Sequence, residues 1–290
     1  NAIRQESSFF GDSVDEVLRI RNGRVFRPWA HFLRMQSCLD ALGIPNPWSE
    51  SEFASLCADL AHRNGIAGGR LYLQVTRGVA DRTHLVPQHL EPTVIGFATE
   101  ADLPNWKDRP EGVAAITMRD MRWARCSIKT TMTLPNSLAK QRAAEADAYE
   151  AILVSEEGVV REGASNSVFV VMDGVIHTHP EDDRILPGVT RGIVLDLAGA
   201  EGLTVREEAV RAERMPAAQE VFLTGTTTDV APVIRIDDRL VGTGRIGPIT
   251  ATLMRRFEEL LERETAADQP SRLRGRTGVS GSSFVPPTDE

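Results

Sequence analysis

The chain has 290 residues, 41% of them hydrophobic and 26% charged, enough apolar material for a sizeable core and too much for disorder throughout. Its formal net charge is -8, and no dense Lys/Arg block interrupts it. Nucleic-acid and anionic-membrane partners, which require concentrated positive surface, are therefore disfavoured, and a two-domain protein acting on small molecules is expected.

Ser13 to Arg21 alternates only loosely, but Asn22-Gly23 followed by Arg24-Val25-Phe26 has the pattern of a tight hairpin, so two short strands are expected. Apolar residues at helical spacing (Phe32, Met35, Leu39, Leu42) predict a helix from Trp29 to Leu42 ending at Gly43, and a second from Phe53 to Ala61. Leu71 to Thr76 and Thr93 to Phe97 read as strands flanking a polar loop, Arg77 to Gln88, long enough to carry function. The breaker-rich stretch from Leu103 to Pro110 reads as a linker.

Beyond it, strands are expected at Val113 to Thr117, Tyr149 to Val154, Ser167 to Met172 and Val175 to Thr178. Helices are expected near Asn136 to Ala146, Thr190 to Ala198 and Thr252 to Glu262. The expected organisation is a small domain over residues 1–104, a linker over 105–111, a larger domain over 112–265 and a disordered tail over 266–290, where Ser, Gly, Pro, Arg and Thr lose all periodicity. This is a strand-rich mixture of α and β.

Cys38, Cys57 and Cys126 lie far apart without a CxxC or Cys/His cluster, which points to a reducing compartment and to neither a disulfide framework nor a metal site. No run reaches the roughly 20 apolar residues that span a bilayer, and no leader pattern opens the chain, so a cytoplasmic location is expected. The chain begins without Met, and residues upstream of Asn1 are expected.

Of 33 Lys plus Arg only three are lysine: Lys107, Lys129 and Lys140. A lysine retained where nearly every cation is arginine points to chemistry that a guanidinium cannot perform, above all condensation of a free amine with an aldehyde. Lys107 belongs to the linker and Lys140 to an amphipathic helix. Lys129 follows an apolar strand and precedes a helix, where a side chain is held rigidly and partly desolvated, so it is the best candidate. Read by spacing alone, it serves equally well as a salt-bridged strand-end residue.

Val160 to Phe169 sets a carboxylate, Glu162, and a turn of small polar residues, including Ser165 and Asn166, just before an apolar strand. A carboxylate facing a pyridine nitrogen keeps that nitrogen protonated, which makes a pyridoxal ring an electron sink. An exposed hairpin residue is the commoner fate of such a glutamate. Pro187-Gly188-Val189-Thr190 before a helix and Thr224-Gly225-Thr226-Thr227 after a strand offer backbone N–H groups and hydroxyls suited to a phosphate.

Taken in order, Phe10-Gly11-Asp12, Leu73-Gln74-Val75-Thr76-Arg77-Gly78, Arg122-Trp123 to Ile128-Lys129, Leu138-Ala139-Lys140-Gln141, Tyr149 to Leu153 and Thr226-Thr227 resemble the fold-type IV pyridoxal-phosphate enzymes. That family includes D-amino-acid transaminase, branched-chain aminotransferase and aminodeoxychorismate lyase, and the resemblance, from about Phe9 to about Glu262, is nearest to D-amino-acid transaminases. It implies a small α/β N-terminal domain, a larger C-terminal domain with a β-barrel-like core, and a homodimer with the active site at its interface. Lys129 would form the Schiff base with pyridoxal 5'-phosphate and then shuttle a proton. Glu162 would pair with the ring nitrogen, and Leu186 would pack against the ring. Arg34, Val189, Thr190 and Thr226, with Ser165, Asn166 and Gly225 nearby, would hold the cofactor and its phosphate. Arg82 and His84 would reach the neighbouring subunit and trap the substrate carboxylate.

Two departures stand out. Asp15 occupies the place of the family's aromatic residue, a tyrosine in D-amino-acid transaminases, and is expected to repel a substrate carboxylate unless it pairs with Arg82 or turns to another cation. The chain has two tyrosines, Tyr72 and Tyr149, neither in that segment, so no phenol is expected to take over. Asn166-Ser167 also replaces the family's Asn directly before the hydrophobic pair. The activity expected is amino transfer from a D-amino acid such as D-alanine to a 2-oxo acid. Alternatives are (R)-selective amine transamination, aminodeoxychorismate lyase activity and a pyridoxal-phosphate-binding homologue without turnover.

Overall fold

The computed structural model describes residues 10–86, 89–103, 106 and 111–266. The residues expected as a disordered tail from 267 onward, and most of the expected linker with Lys107, lie outside the described residues.

Strand β1 (Ser13–Arg21) turns into β2 (Arg24–Val25) through Asn22 and Gly23, whose φ angles of 52° and 71° are those a two-residue hairpin requires. With β3 (Gly68–Thr76) and β4 (Thr93–Glu100) they form an antiparallel sheet in the order β2-β1-β3-β4. Helices α1 (Pro28–Leu42) and α2 (Glu50–Arg63) pack on one face; α2 starts at a capping box between Ser49 and Glu52. Val14, Leu18, Leu71 and Leu73 bury that face against Met35, Leu39, Phe53 and Cys57. β1 is longer than the short strand expected. Both of its faces are covered, so the polar-apolar alternation that marks a half-exposed strand is missing.

Nine strands form the second sheet: β5 (Val113–Arg119), β6 (Glu150–Val154), β7 (Val160–Gly163), β8 (Ser167–Met172), β9 (Val175–Thr178), β10 (Val205–Arg206), β11 (Glu220–Gly225), β12 (Asp229–Ile236) and β13 (Arg239–Leu240). Their order is β10-β9-β8-β11-β12-β5-β6-β7, with β13 on β12. The outermost strand β7 is joined to β8, far across that order, by only Ala164, Ser165 and Asn166, so the sheet must curl. Gly163 N–H donates to Asn166 O at 2.6 Å, and Val160 N–H reaches Val210 O at 2.9 Å. Val168, Val170, Val221, Leu223 and Ala231 fill one side of the curl. On the other, Phe169 and Phe222 stack at 4.8 Å and pack against α4 (Val189–Ala200) and α5 (Pro248–Thr265). Helix α3 (Leu134–Glu145) covers β6 through Ala139 and Ala143. No helix among the described residues is long and apolar enough to cross a membrane.

Candidate active site

A cavity of about 950 Å³ opens between the two sheets, lined by residues of both. Lys129 lies on its wall in the segment between β5 and α3, and that segment is clamped to the small sheet. Asp15 N–H donates to Lys129 O at 3.1 Å, Thr130 bridges Val14, and Ile128 is buried in the core of the small sheet. The backbone is therefore fixed while the side chain reaches the cavity. Lys129 Nζ lies 2.9 Å from Asp15 Oδ2. Burial pushes the Asp15 carboxyl above its usual range, with the neighbouring ammonium opposing that rise.

Alternation along β1 sends the next residue, Glu16, to the opposite face. There it accepts two hydrogen bonds from Arg34 of α1, Nε and Nη2, both at 2.7 Å, and lies 2.7 Å from His31 Nδ1. Burial opposes ionisation of Glu16, yet Arg34 and His31 outweigh it and hold the carboxyl at about 2. Arg34 Nη1 donates to Pro187 O at 3.1 Å, so the guanidinium is anchored to both sheets' neighbourhoods and has N–H donors to spare for the cavity. Helix α4 begins at Gly188 without a side-chain cap, and its first N–H groups, those of Val189 and Thr190, lie on the cavity wall. A side chain at Gly188 would come within 2.7 Å of Ser167 Oγ, so a larger residue there would make that hydroxyl shift. Thr226 and Thr227 also line the cavity.

At the far end Glu162 of β7 is buried, bonded to Arg122 and accepting from Leu186 N–H at 3.1 and 3.2 Å. Burial pushes its carboxyl up to about 7, with Arg122 and Leu186 opposing. Asp120 holds Arg122 through Nε and Nη2 at 3.0 and 2.9 Å. The turn Ala164–Asn166 is anchored by buried Glu150, which accepts from Ser165 Oγ at 2.9 Å and from Asn166 Nδ2. Thr224 Oγ1 and Asn166 Oδ1 are buried beside this turn without a hydrogen-bond partner among the described residues. The donor set fits pyridoxal phosphate: an amine able to meet an aldehyde, a buried carboxylate for a ring nitrogen, Leu186 for a ring face, and an uncapped helix start with an arginine for a phosphate.

The family model for class IV amino-transferases matches residues 13–236. The chain is a class IV aminotransferase. D-alanine aminotransferase of Bacillus licheniformis is 42% identical to it over 257 residues, covering 89% of this chain and 90% of that protein. D-alanine aminotransferase of Staphylococcus aureus strain COL is 36% identical over 254 residues, covering 87% and 89%. The solved branched-chain amino acid aminotransferase of Escherichia coli superposes with a TM-score of 0.84 at 26% identity, covering 94% of this chain and 93% of that one.

In this aminotransferase Lys129, Arg34, Glu162, Ser165, Asn166, Leu186, Val189, Thr190, Gly225 and Thr226 all line the one cavity, and Asp15 joins them through Lys129. Arg82 and His84 do not line it. They sit exposed on the loop between β3 and β4, flanking Phe10, with the Arg82 guanidinium 5.1 Å and the His84 ring 5.3 Å from its centre. Asp15 therefore pairs with Lys129 rather than Arg82. Lys140 reaches the cavity but is held by Tyr149 O at 2.6 Å and Glu150 at 3.4 Å.

One expectation is corrected: a phenol does stand at the site. Tyr72, two residues along β3 from Gln74, the register partner of Asp15, points into the cavity and stacks on Phe97 at 5.0 Å. Burial and the charge of Asp15 push its hydroxyl up to about 12. Period-two alternation along β3 puts Tyr72 on the face of Gln74; what linear reading lacks is the pairing that brings Gln74 beside Asp15. Glu16, Arg122 and Glu150, each holding a cavity residue in place, were also missed, because their partners lie 15 to 40 positions away.

Proposed function

We propose that the protein is a pyridoxal-phosphate-dependent transaminase that moves an amino group from a D-amino acid, D-alanine being the model donor, to a 2-oxo acid such as 2-oxoglutarate. The observation that carries this reading is the convergence of Lys129, Glu162 and Arg34 with the start of α4 on one cavity, in a chain 42% identical to a D-alanine aminotransferase. Pyridoxal phosphate supplies an electron sink that stabilises the negative charge left at a carbon when its proton is removed. Lys129 Nζ would take that proton from the substrate Cα and deliver it to the cofactor carbon that had carried the aldehyde, and in the second half-transfer would carry a proton the opposite way. Glu162, fixed by Arg122 and Leu186 N–H, keeps a proton on the ring nitrogen. Arg34 and the N–H groups of Val189 and Thr190, with Thr226, bind the phosphate, and Leu186 orients the ring. The two half-transfers then run in sequence on one site.

Arg82 and His84 are too exposed to serve their own cavity, and we assign them to the cavity of a second copy, where they bind the substrate's α-carboxylate in a homodimer. The free thiols of Cys38, Cys57 and Cys126 support a reducing, cytoplasmic setting. Asp15 favours a second reading, (R)-selective transamination of amines that lack a carboxylate, because it sets a buried acid beside Lys129.

The deciding experiment is to load the protein with pyridoxal phosphate and add D-alanine, then 2-oxoglutarate. The yellow band should bleach and return. Bleaching by (R)-1-phenylethylamine but not by D-alanine supports the second reading, and bleaching by neither rejects both.

A further inference from the structure

Five cationic side chains line the cavity: Arg34, Arg70, Arg122, Lys129 and Lys140. Four are matched by acids, Arg34 by Glu16, Arg122 by Asp120 and Glu162, Lys129 by Asp15 and Lys140 by Glu150. Of the five, only the Arg70 side chain has no ion pair or hydrogen bond among the described residues, although it is on the cavity wall and open to solvent. Its neighbours across the strands explain why. On β1 it faces Arg19, whose Nη1 is already 2.6 Å from Asp229 Oδ1, and on β4 it faces Thr99. No acid stands in register with it, and like charges directly opposite raise the energy of leaving it unmatched. A guanidinium so placed has its fork of donors available for a carboxylate brought in by a ligand.

Position decides which carboxylate. Arg70 and Tyr72 lie on the same face of β3 as Gln74, and Gln74 is paired with Asp15 beside Lys129. Four strand residues, about 13 Å, separate Arg70 from that pair, so it lines the cavity at a distance from the carbon that Lys129 serves. We propose that Arg70 binds the distal carboxylate of dicarboxylic substrates and so determines preference for acidic over neutral oxo and amino acids. This rests on the transaminase reading for its substrates but not for its test.

The test compares glutarate with pentanoate, which share a chain length and one carboxylate and differ in the second. Calorimetric titration of the pyridoxal-phosphate-loaded protein with each should show the glutarate-to-pentanoate affinity ratio falling about 10- to 100-fold in Arg70→Ala, as expected for loss of hydrogen bonds to a charged group, with Arg70→Lys retaining part of the preference. The same ratio should fall when the aminated protein returns its nitrogen to 2-oxoglutarate or 2-oxopentanoate. An unchanged ratio, or equal loss for both ligands, overturns the assignment. If the wild type transfers nitrogen to neither acceptor while the binding ratio still depends on Arg70, the carboxylate site stands and the transaminase reading fails.

Discussion

Lys129 Nζ and Asp15 Oδ2 are 2.9 Å apart, so the amine proposed to capture the cofactor is matched by a buried acid. Lys129 Nζ donates to Asp15 Oδ2, and that hydrogen bond must be released before the amine can meet an aldehyde. Asp15→Asn should therefore speed uptake of pyridoxal phosphate by the cofactor-free protein by roughly tenfold, as expected for loss of one hydrogen bond to a charged group. Stopped-flow absorbance of the growing yellow band measures it. Slower uptake would mean that Asp15 assists the capture.

Glu16 fixes Arg34, and removing its charge leaves a buried guanidinium unmatched. Glu16→Gln should cost about 3–5 kcal/mol in urea unfolding. The pH dependence has a definite sign. An acid lowered from 4.5 to about 2 contributes stability above 4.5 that is lost as the pH falls through 2, and Glu16→Gln should remove that acid limb.

Glu162 behaves in the opposite sense. Its carboxyl is raised from 4.5 to about 7 in the absence of cofactor, so the folded protein binds a proton that the unfolded chain has released. Stability from this group is full below 4.5 and declines as the pH rises through 7, by roughly 3 kcal/mol in all. Urea midpoints of the cofactor-free protein across that interval should fall with pH, and should fall less in Glu162→Gln.

Exposure of Arg82 and His84 outside their own cavity makes a mixing experiment decisive for the dimer. Lys129→Ala and Arg82→Ala, each inactive alone, should regain part of the activity when unfolded and refolded together, since hybrid dimers hold one intact site. No recovery, with hybrids present by mass, places Arg82 outside the partner's site.

What could be read from the chain was local. Lys129 stood out because arginine fills nearly every other cationic position, and β8 and β9 were bounded as found because their apolar runs end at turns. β7 is not among the expected strands: four residues carrying Arg161 and Glu162 lack a strand's apolar run, and only the curl of the sheet pairs them. Glu150 showed no sign of its role, because Ser165 and Asn166 reach it only when β6 and β7 pair. Tyr72 and Arg70 needed the register of β3 against β1, which is a tertiary fact.

Borohydride reduction of the pyridoxal-phosphate-loaded protein, followed by peptide mapping, tests the central assignment most directly. The reduced adduct should fall on Lys129 alone, and Lys129→Ala should form none. An adduct on Lys140 or Lys107, or none at all on the wild type, would contradict the site described for this cavity.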